Sequence, residues 1–444
     1  MPSELIDLTG KEEDEAKVSS DKKTKPSGWP SQTQTTLDFV HQVDSALHVQ
    51  PKLYFTHDGK WLLAACKISC TQIQVTAWNN NVKQDPTASM RMDVVSKVVK
   101  TKQTHPEFTT HQVGLLSNTK QLFLQVSFEN VPSLVLIPID IHLEGENLLG
   151  DAFVVGDCGA QYARADLGFL TKDGILVTLV RGVDNVPDAL IAYDLKDSNH
   201  KCVGSFEIPT KQAEARSSTQ LIRSGDHLLV FVKELGGSKR PVTSLYLWSG
   251  DLPLSKNNMF SVALPADTFL SFCRDNPEGV IAASHVSRCP GNNVPVAGMV
   301  LLQLDVASCS SKVTGCTHST KLSPLWGALP QDLCWSPTGS HLLALHNTWD
   351  HLALDRLFSV PVVHGTDKNS WEFQSQLNED DGRDSISKLV ATASKAIRAQ
   401  QTKTGDVVVA PDGTTLAYIL MESYEDPDGN IAELEYFQIH MISN

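Results

Sequence analysis

The chain carries "THDGKWLLAA" at residues 56–65 and "APDGTTLAYI" at residues 410–419, one turn grammar written near both ends of a 444-residue sequence. Each stretch places Asp-Gly and a polar residue ahead of an apolar run, the signature of a tight turn feeding a buried strand. Working outward, the same grammar recurs in "GLLSNTKQLFLQV" (114–126), "GFLTKDGILVTLV" (168–180), "LIRSGDHLLVFV" (221–232), "SFCRDNPEGVIAAS" (271–284) and "LCWSPTGSHLLAL" (333–345). That makes seven copies, with a mean spacing of 59 residues between Gly59 and Gly413. Regular self-similarity at this period indicates a repeat architecture rather than several unrelated domains.

A third β-prone run follows each pair: 71–78, 133–141, 188–195, 243–251, 298–306, 354–363 and 434–442. A fourth, more polar run follows several of these, as in "MRMDVVSKVV" (90–99), "CVGSFEI" (202–208), "MFSVALP" (259–265) and "WEFQSQL" (371–377). Four strands grading from apolar to polar suit a propeller blade, whose inner strands are covered on both faces while the outermost meets water. The seventh copy ends after its third strand, at Asn444, and the run "TTLDFVHQVDSALHV" (35–49) has no partner of its own. An unpaired sheet edge and an open ring are both unfavourable, so this N-terminal run is expected to supply the missing outer strand. The expected fold is therefore all-β: a seven-bladed β-propeller of four-stranded antiparallel blades spanning 35–444, closed by an N-terminal strand.

The order of strand, turn and strand, followed by a strand ending in "TAWN" (76–79), "IAYD" (191–194), "YLWS" (246–249) or "LQLD" (303–306), resembles WD-repeat and TolB-like propellers. The resemblance covers 36–444 and implies a propeller fold serving as a protein interaction platform. The Gly-His dipeptide of WD repeats is missing from its usual places, so that family's buried Asp-His pairing is not carried over.

Between copies six and seven the spacing widens to 74 residues. The excess, 378–401, begins with the acidic "NEDDGRDS" and continues with Ile386, Leu389, Val390, Ala393 and Ile397 at helical spacing. A helix is expected there, capped by Asp384 or Ser385 and laid along the propeller edge or rim, where it could also dock a partner. Asn-Val-Pro occurs three times between second and third strands, at 130–132, 185–187 and 293–295, and proline's fixed backbone angle suits a stiff loop. Beside these loops Arg181, Lys233, Arg240 and Arg288 form a candidate partner-binding rim, tempered by Asp184, Asp188 and Glu234.

Residues 1–34 hold few large apolar side chains and are expected to be disordered, because burial cannot offset their ordering entropy. Within them "ELIDLTGKEEDE" (4–15) resembles a SUMO-interacting motif: Leu5, Ile6, Asp7 and Leu8 form a β-prone core, trailed by Glu12, Glu13 and Asp14. Such a core adds to a sheet edge while the acids meet a basic patch. "QTTLDFV" (34–40) approaches a sliding-clamp-binding box, but Phe39 falls one residue too early.

The net charge of −14 argues against a general grip on nucleic acid, so direct nucleic-acid binding is not expected. No apolar run spans a bilayer and the N-terminus is acidic, which points to an intracellular protein; the resemblance to a SUMO-interacting motif implies the nucleus, whereas "KKTK" (22–25) is short for an import signal. Nine cysteines, none spaced Cys-x-x-Cys, suggest neither a disulfide framework nor a zinc ribbon. No nucleophile elbow, phosphate loop or His-Glu-x-x-His motif occurs, and His341, His346 and His351 are poorly spaced for one metal. No catalytic residue, metal or cofactor is assigned. The expected function is a non-catalytic scaffold that recruits SUMO or SUMO-modified proteins. The alternative is a propeller hydrolase or lactonase with a divalent metal held in the central channel, to which Asp166, Asp332 and Asp406 could point.

Overall fold

The computed structural model describes residues 33–44, 51–69, 72–79, 94–100, 110–117, 121–140, 150–151, 153–156, 161–183, 186–197, 200–208, 216–235, 242–248, 259–260, 269–288, 295–308, 310–318, 330–346, 356–364, 371–373, 385–400, 403–425 and 431–444. Among them the strands form seven antiparallel sheets of four or five strands, one for each copy of the turn. Blade 1, for example, runs from Lys52–Phe55 through Trp61–Ser69 and Gln72–Asn79 to Val94–Lys100. The turns between first and second strands carry the repeat: Gly59, Gly174, Gly225, Gly279, Gly339 and Gly413 all have φ between +58° and +82°. Side chains rarely adopt that conformation, which is why glycine punctuates six of the seven copies.

Each second strand presents alternate residues to opposite neighbours. Leu62, Ala64 and Cys66 pack toward blade 7, whereas Leu63 and Ala65 pack toward blade 2. The same alternation sends Leu176 to the junction of blades 2 and 3, and Val177 to that of blades 3 and 4. Leu342 faces blade 5 while Leu343 faces blade 7. The result is seven interblade cores that close a ring, with the last one joining Phe437, Ile439 and Met441 to Leu53, Phe55 and Trp78. Continuous apolar runs, rather than strict alternation, follow from this two-sided burial.

The N-terminal strand Thr33–Asp44 pairs antiparallel with Ile431–Ser443 as the outermost strand of blade 7, from Thr33↔Ser443 to Asp44↔Leu434. Both ends of this ring therefore meet in one sheet, as the unpaired runs at 35–49 and 434–442 require.

Two sheets gain a fifth strand. In blade 3 the inner strand is broken into Tyr162–Ala165 and Phe169–Leu170, both paired with Ile175–Gly182. A side chain at Gly168 would put its Cβ 2.5 Å from the Val177 carbonyl oxygen, so the chain passes there only as glycine. In blade 4 the inner strand Arg216–Ser224 is flanked by Asp275–Asn276 from blade 5, a short parallel pairing with Arg223↔Asp275 and Ser224↔Asn276. The fifth copy of the turn, "CRDNPEG", is longer than the others, and the extra residues fold inward against the neighbouring blade.

The helix spans Ser385–Gln400, and all five of its expected apolar residues are buried. It packs this stripe against the junction of blades 6 and 7: Leu389, Ala393 and Ile397 share one core with Leu343, Leu357, Tyr418 and Leu420. Ser385 ties rather than caps. Its hydroxyl donates to the carbonyl of Gly413 in the blade 7 turn at 2.9 Å and accepts a bond from Asn444. The expected cap Asp384 lies outside the described residues, as do residues 1–32 with the whole SUMO-interacting motif.

Candidate functional site

First strands line the axis of a propeller, and their inner edges carry backbone groups that no further strand satisfies. Here side chains from neighbouring blades take that role. Asp406 of blade 7 accepts the Leu53 amide of blade 1 at 2.9 Å. Gln220 of blade 4 donates to the Phe272 carbonyl of blade 5 at 3.0 Å. Gln125 of blade 2, fully buried, both accepts from the Gly168 amide at 3.0 Å and donates to its carbonyl at 3.3 Å.

The inward turn of blade 5 makes the densest of these ties. Asn276 is 5% exposed and uses its whole amide. Nδ2 donates to the carbonyls of Arg223 at 3.1 Å and Cys273 at 2.8 Å, while Oδ1 accepts from the Ala282 amide and from Trp335 Nε1, each at 2.9 Å. One side chain thus joins blades 4, 5 and 6. With Asn276 fixed, the preceding Arg274 extends past blade 4 to the break in the inner strand of blade 3. Its Nη2 donates there to the carbonyls of Leu167 at 2.9 Å and Gly168 at 2.7 Å.

Arg223 and Arg274 share the ring of Phe169, their guanidinium carbons 5.2 and 4.6 Å from its centroid. Arg223 is bidentate on Asp275, with Nε at 2.7 Å from Oδ1 and Nη2 on Oδ2. Burial disfavours the Arg223 charge, but Asp275 outweighs it and raises the pKa. Arg274 is treated differently. Burial, with the nearby positive charge of Arg223 acting in the same sense, lowers its pKa to about 10 against the pull of Asp275, so it remains charged at neutral pH.

Beside this stack a cavity of about 370 Å³ opens among the first turns of blades 1, 3 and 4. Arg223 lines it, with Tyr54, His57, Lys172, Asp226 and Trp248. Tyr54 donates to Ser117 Oγ at 2.8 Å, and Lys172 pairs with Asp226 across the exposed side. Trp248 is 4% exposed and its Nε1 has no hydrogen-bond partner among the described residues.

The rim residues expected from sequence fall at equivalent places. Arg181, Lys233 and Arg288 lie near the far ends of the second strands of blades 3, 4 and 5, on the opposite face from the glycine turns. Arg181 is held within the fold: it bonds Asp166 through Nε at 2.9 Å, Asp188 through Nη1 at 2.9 Å and the Thr219 carbonyl through Nη2 at 2.8 Å. Lys233 is half-buried, the side chain of Arg288 lies outside the described residues, and so does Arg240 entirely. Of the acids that could face the channel, Asp166 is engaged by Arg181 and Asp406 by Leu53, whereas the side chain of Asp332 is outside the described residues. Among the described residues no group of three or more His, Cys, Asp or Glu side chains could hold a metal ion. His341 is bonded to Ser340 at 2.9 Å, and the side chain of His346 and the whole of His351 are not described.

Sequence reasoning missed Arg274, Asn276 and Phe169. The one local signal for them is the extra length of the fifth turn, "CRDNPEG" (273–279).

No protein-family model and no curated protein matches this chain. Similar solved structures include the polysaccharide lyase Uly1, with 10% identity over 91% of this chain and 90% of that one at a TM-score of 0.49. An oligogalacturonate lyase in complex with manganese is 10% identical over 93% and 97%, with a TM-score of 0.43. The β-propeller domain of Nup133 from Vanderwaltozyma polyspora is 12% identical over 95% and 100%, with a TM-score of 0.41. At such identities the likeness is one of fold alone.

Proposed function

We propose that this propeller is a non-catalytic interaction scaffold whose N-terminal segment recruits SUMO or a SUMO-modified protein, with the nucleus as its place of action. What supports a scaffold is the use made of the polar residues at the axis and far rim: Arg181 and Asp188 reach Thr219 of blade 4, Gln220 and Asp406 each tie one blade to the next, and Asp166 holds Arg181 in place. A ring whose blades are tied by such bonds presents surface loops on a fixed frame, the arrangement that suits recognition of other proteins. The WD-repeat likeness of "IAYD" and "LQLD", and the motif at Leu5, Ile6, Asp7 and Leu8 followed by Glu12, Glu13 and Asp14, support the finer reading.

The test is calorimetric titration of the full chain with SUMO, beside a variant with Leu5, Ile6 and Leu8 changed to Ala. Binding that disappears in the variant is expected, because removal of the aliphatic core leaves the modifier's groove unfilled. Equal heats from both proteins would end the SUMO reading. A melting midpoint that climbs with added manganese or calcium would favour the propeller hydrolase instead, since a ligand held only by the native state must raise it.

A further inference from the structure

We propose that the axial channel at blades 3 to 5 binds a small oxyanion, a carboxylate or phosphoryl group, with Arg274 as its principal ligand and Arg223 as a second cation. The inference does not rest on the scaffold reading. It rests on Arg274, the arginine of the stack that has no carboxylate partner among the described residues.

The chain carries a net charge of −14, yet at the inner margin of blades 3 to 5 Arg223 and Arg274 stack beside a single carboxylate, Asp275, while Arg164 and Arg181 stand at the opposite face with Asp166 and Asp188. Arg164 and Arg181 are matched by Asp166 and Asp188, and Arg223 by Asp275. Arg274 has no carboxylate within ion-pair distance among the described residues. Only its Nη2 is satisfied, by two carbonyl oxygens; Nε and Nη1 meet no acceptor among the described residues. Arg274 nevertheless keeps part of its surface accessible while its surroundings depress its pKa to about 10.

Charge of one sign in a passage with low-dielectric walls concentrates the opposite ion, and the unbonded N–H groups on Nε and Nη1 can each donate a single charge-assisted hydrogen bond to an oxyanion. The group is preorganised. Asn276 locks the backbone two residues on, the carbonyls of Leu167 and Gly168 hold Nη2, and Phe169 supports the plane from one face. Fixing a donor in advance removes the ordering cost that binding would otherwise carry. The neighbouring cavity of about 370 Å³, on which Arg223 opens, exceeds what one small oxyanion needs.

The experiment uses the full chain, with inorganic phosphate and succinate as separate probes and sodium chloride at matched ionic strength as control. At about tenfold excess over Kd the stabilisation should raise the melting midpoint by roughly 1.5 °C for a ring of this size. The stronger of the two probes identifies the ligand as phosphoryl or carboxylate. Arg274→Lys, which keeps the charge but loses the planar fork, should weaken binding at least tenfold; Lys395→Gln, on the exposed face of the helix, should not alter it. Asp275→Asn supplies an independent sign test and does not touch Arg274's carbonyl bonds: removing the one carboxylate in the stack should tighten binding several-fold. No rise beyond chloride for either probe overturns the proposal. So does undiminished binding in Arg274→Lys, or unchanged or weaker binding in Asp275→Asn.

Discussion

Where blade 7 meets blade 1, Trp78, Phe437, Ile439 and Met441 close the ring with an apolar core and one added polar latch, Asp406 on the Leu53 amide. Where blade 4 meets blade 5, an apolar core is also present, but its inner margin is built from Asn276, the Arg223 and Asp275 pair, and Arg274 reaching on to blade 3. Both junctions join neighbouring sheets. The first gains mainly from burial and specifies little; the second needs every partner in place, because a buried polar group without one costs about 1–3 kcal/mol. Apolar closure holds the ring, and polar closure shapes its channel.

The comparison can be broken at its strongest point first. Phe437→Ala, at a residue 1% exposed in the closing core, should remove about 3–5 kcal/mol of stability, read as a lower urea midpoint with no change in channel anion binding. Asn276→Ala should cost less, about 2–3 kcal/mol, but should also release the turn that presents Arg274, so stability and phosphate binding fall together. If Phe437→Ala abolished anion binding while the ring stayed folded, or Asn276→Ala spared it, the two junctions would not divide their roles as described. Asp406→Asn keeps the shape of the latch and loses its charge; about 1 kcal/mol is expected, with the apolar seal carrying the rest.

The smallest effect lies in pH. His440, 3% exposed in blade 7, has its pKa lowered by burial, so the unfolded chain binds the proton more readily than the folded one. Its contribution is fully present above the ordinary histidine range and is lost as pH falls through the depressed folded value. Tyr418, stacked on it with ring centroids 5.4 Å apart, is raised by burial to about 12, so its contribution is lost as pH climbs from about 10 through that value. Between pH 8 and pH 5 the melting midpoint of the wild type should fall more steeply than that of His440→Phe; parallel curves would show that His440 makes no such contribution.

Much of the ring was legible because it is local. A turn that demands glycine at positive φ, followed by strands buried on both faces, leaves a pattern that a short window of sequence contains, and a missing fourth strand at one end matched an unpaired run at the other. The helix was legible as an element from Ile386, Leu389, Val390, Ala393 and Ile397, yet its place at the junction of blades 6 and 7 was not, since an apolar stripe does not name the surface that will cover it. The rim arginine Arg181 was visible as a charge; its engagement by Asp166 and Asp188 required the third dimension.

By itself, then, the sequence determined seven blades, their turns, and closure by the N-terminal strand, because hydrophobic period and turn chemistry act between near neighbours along the chain. Only the tertiary structure decided the channel. Arg274 and Leu167 lie 107 residues apart, and which cations find carboxylates at such separations depends on where whole blades stand in the ring. No periodicity encodes that placement, because the forces that settle it, burial and charge pairing, act across space without regard to chain order.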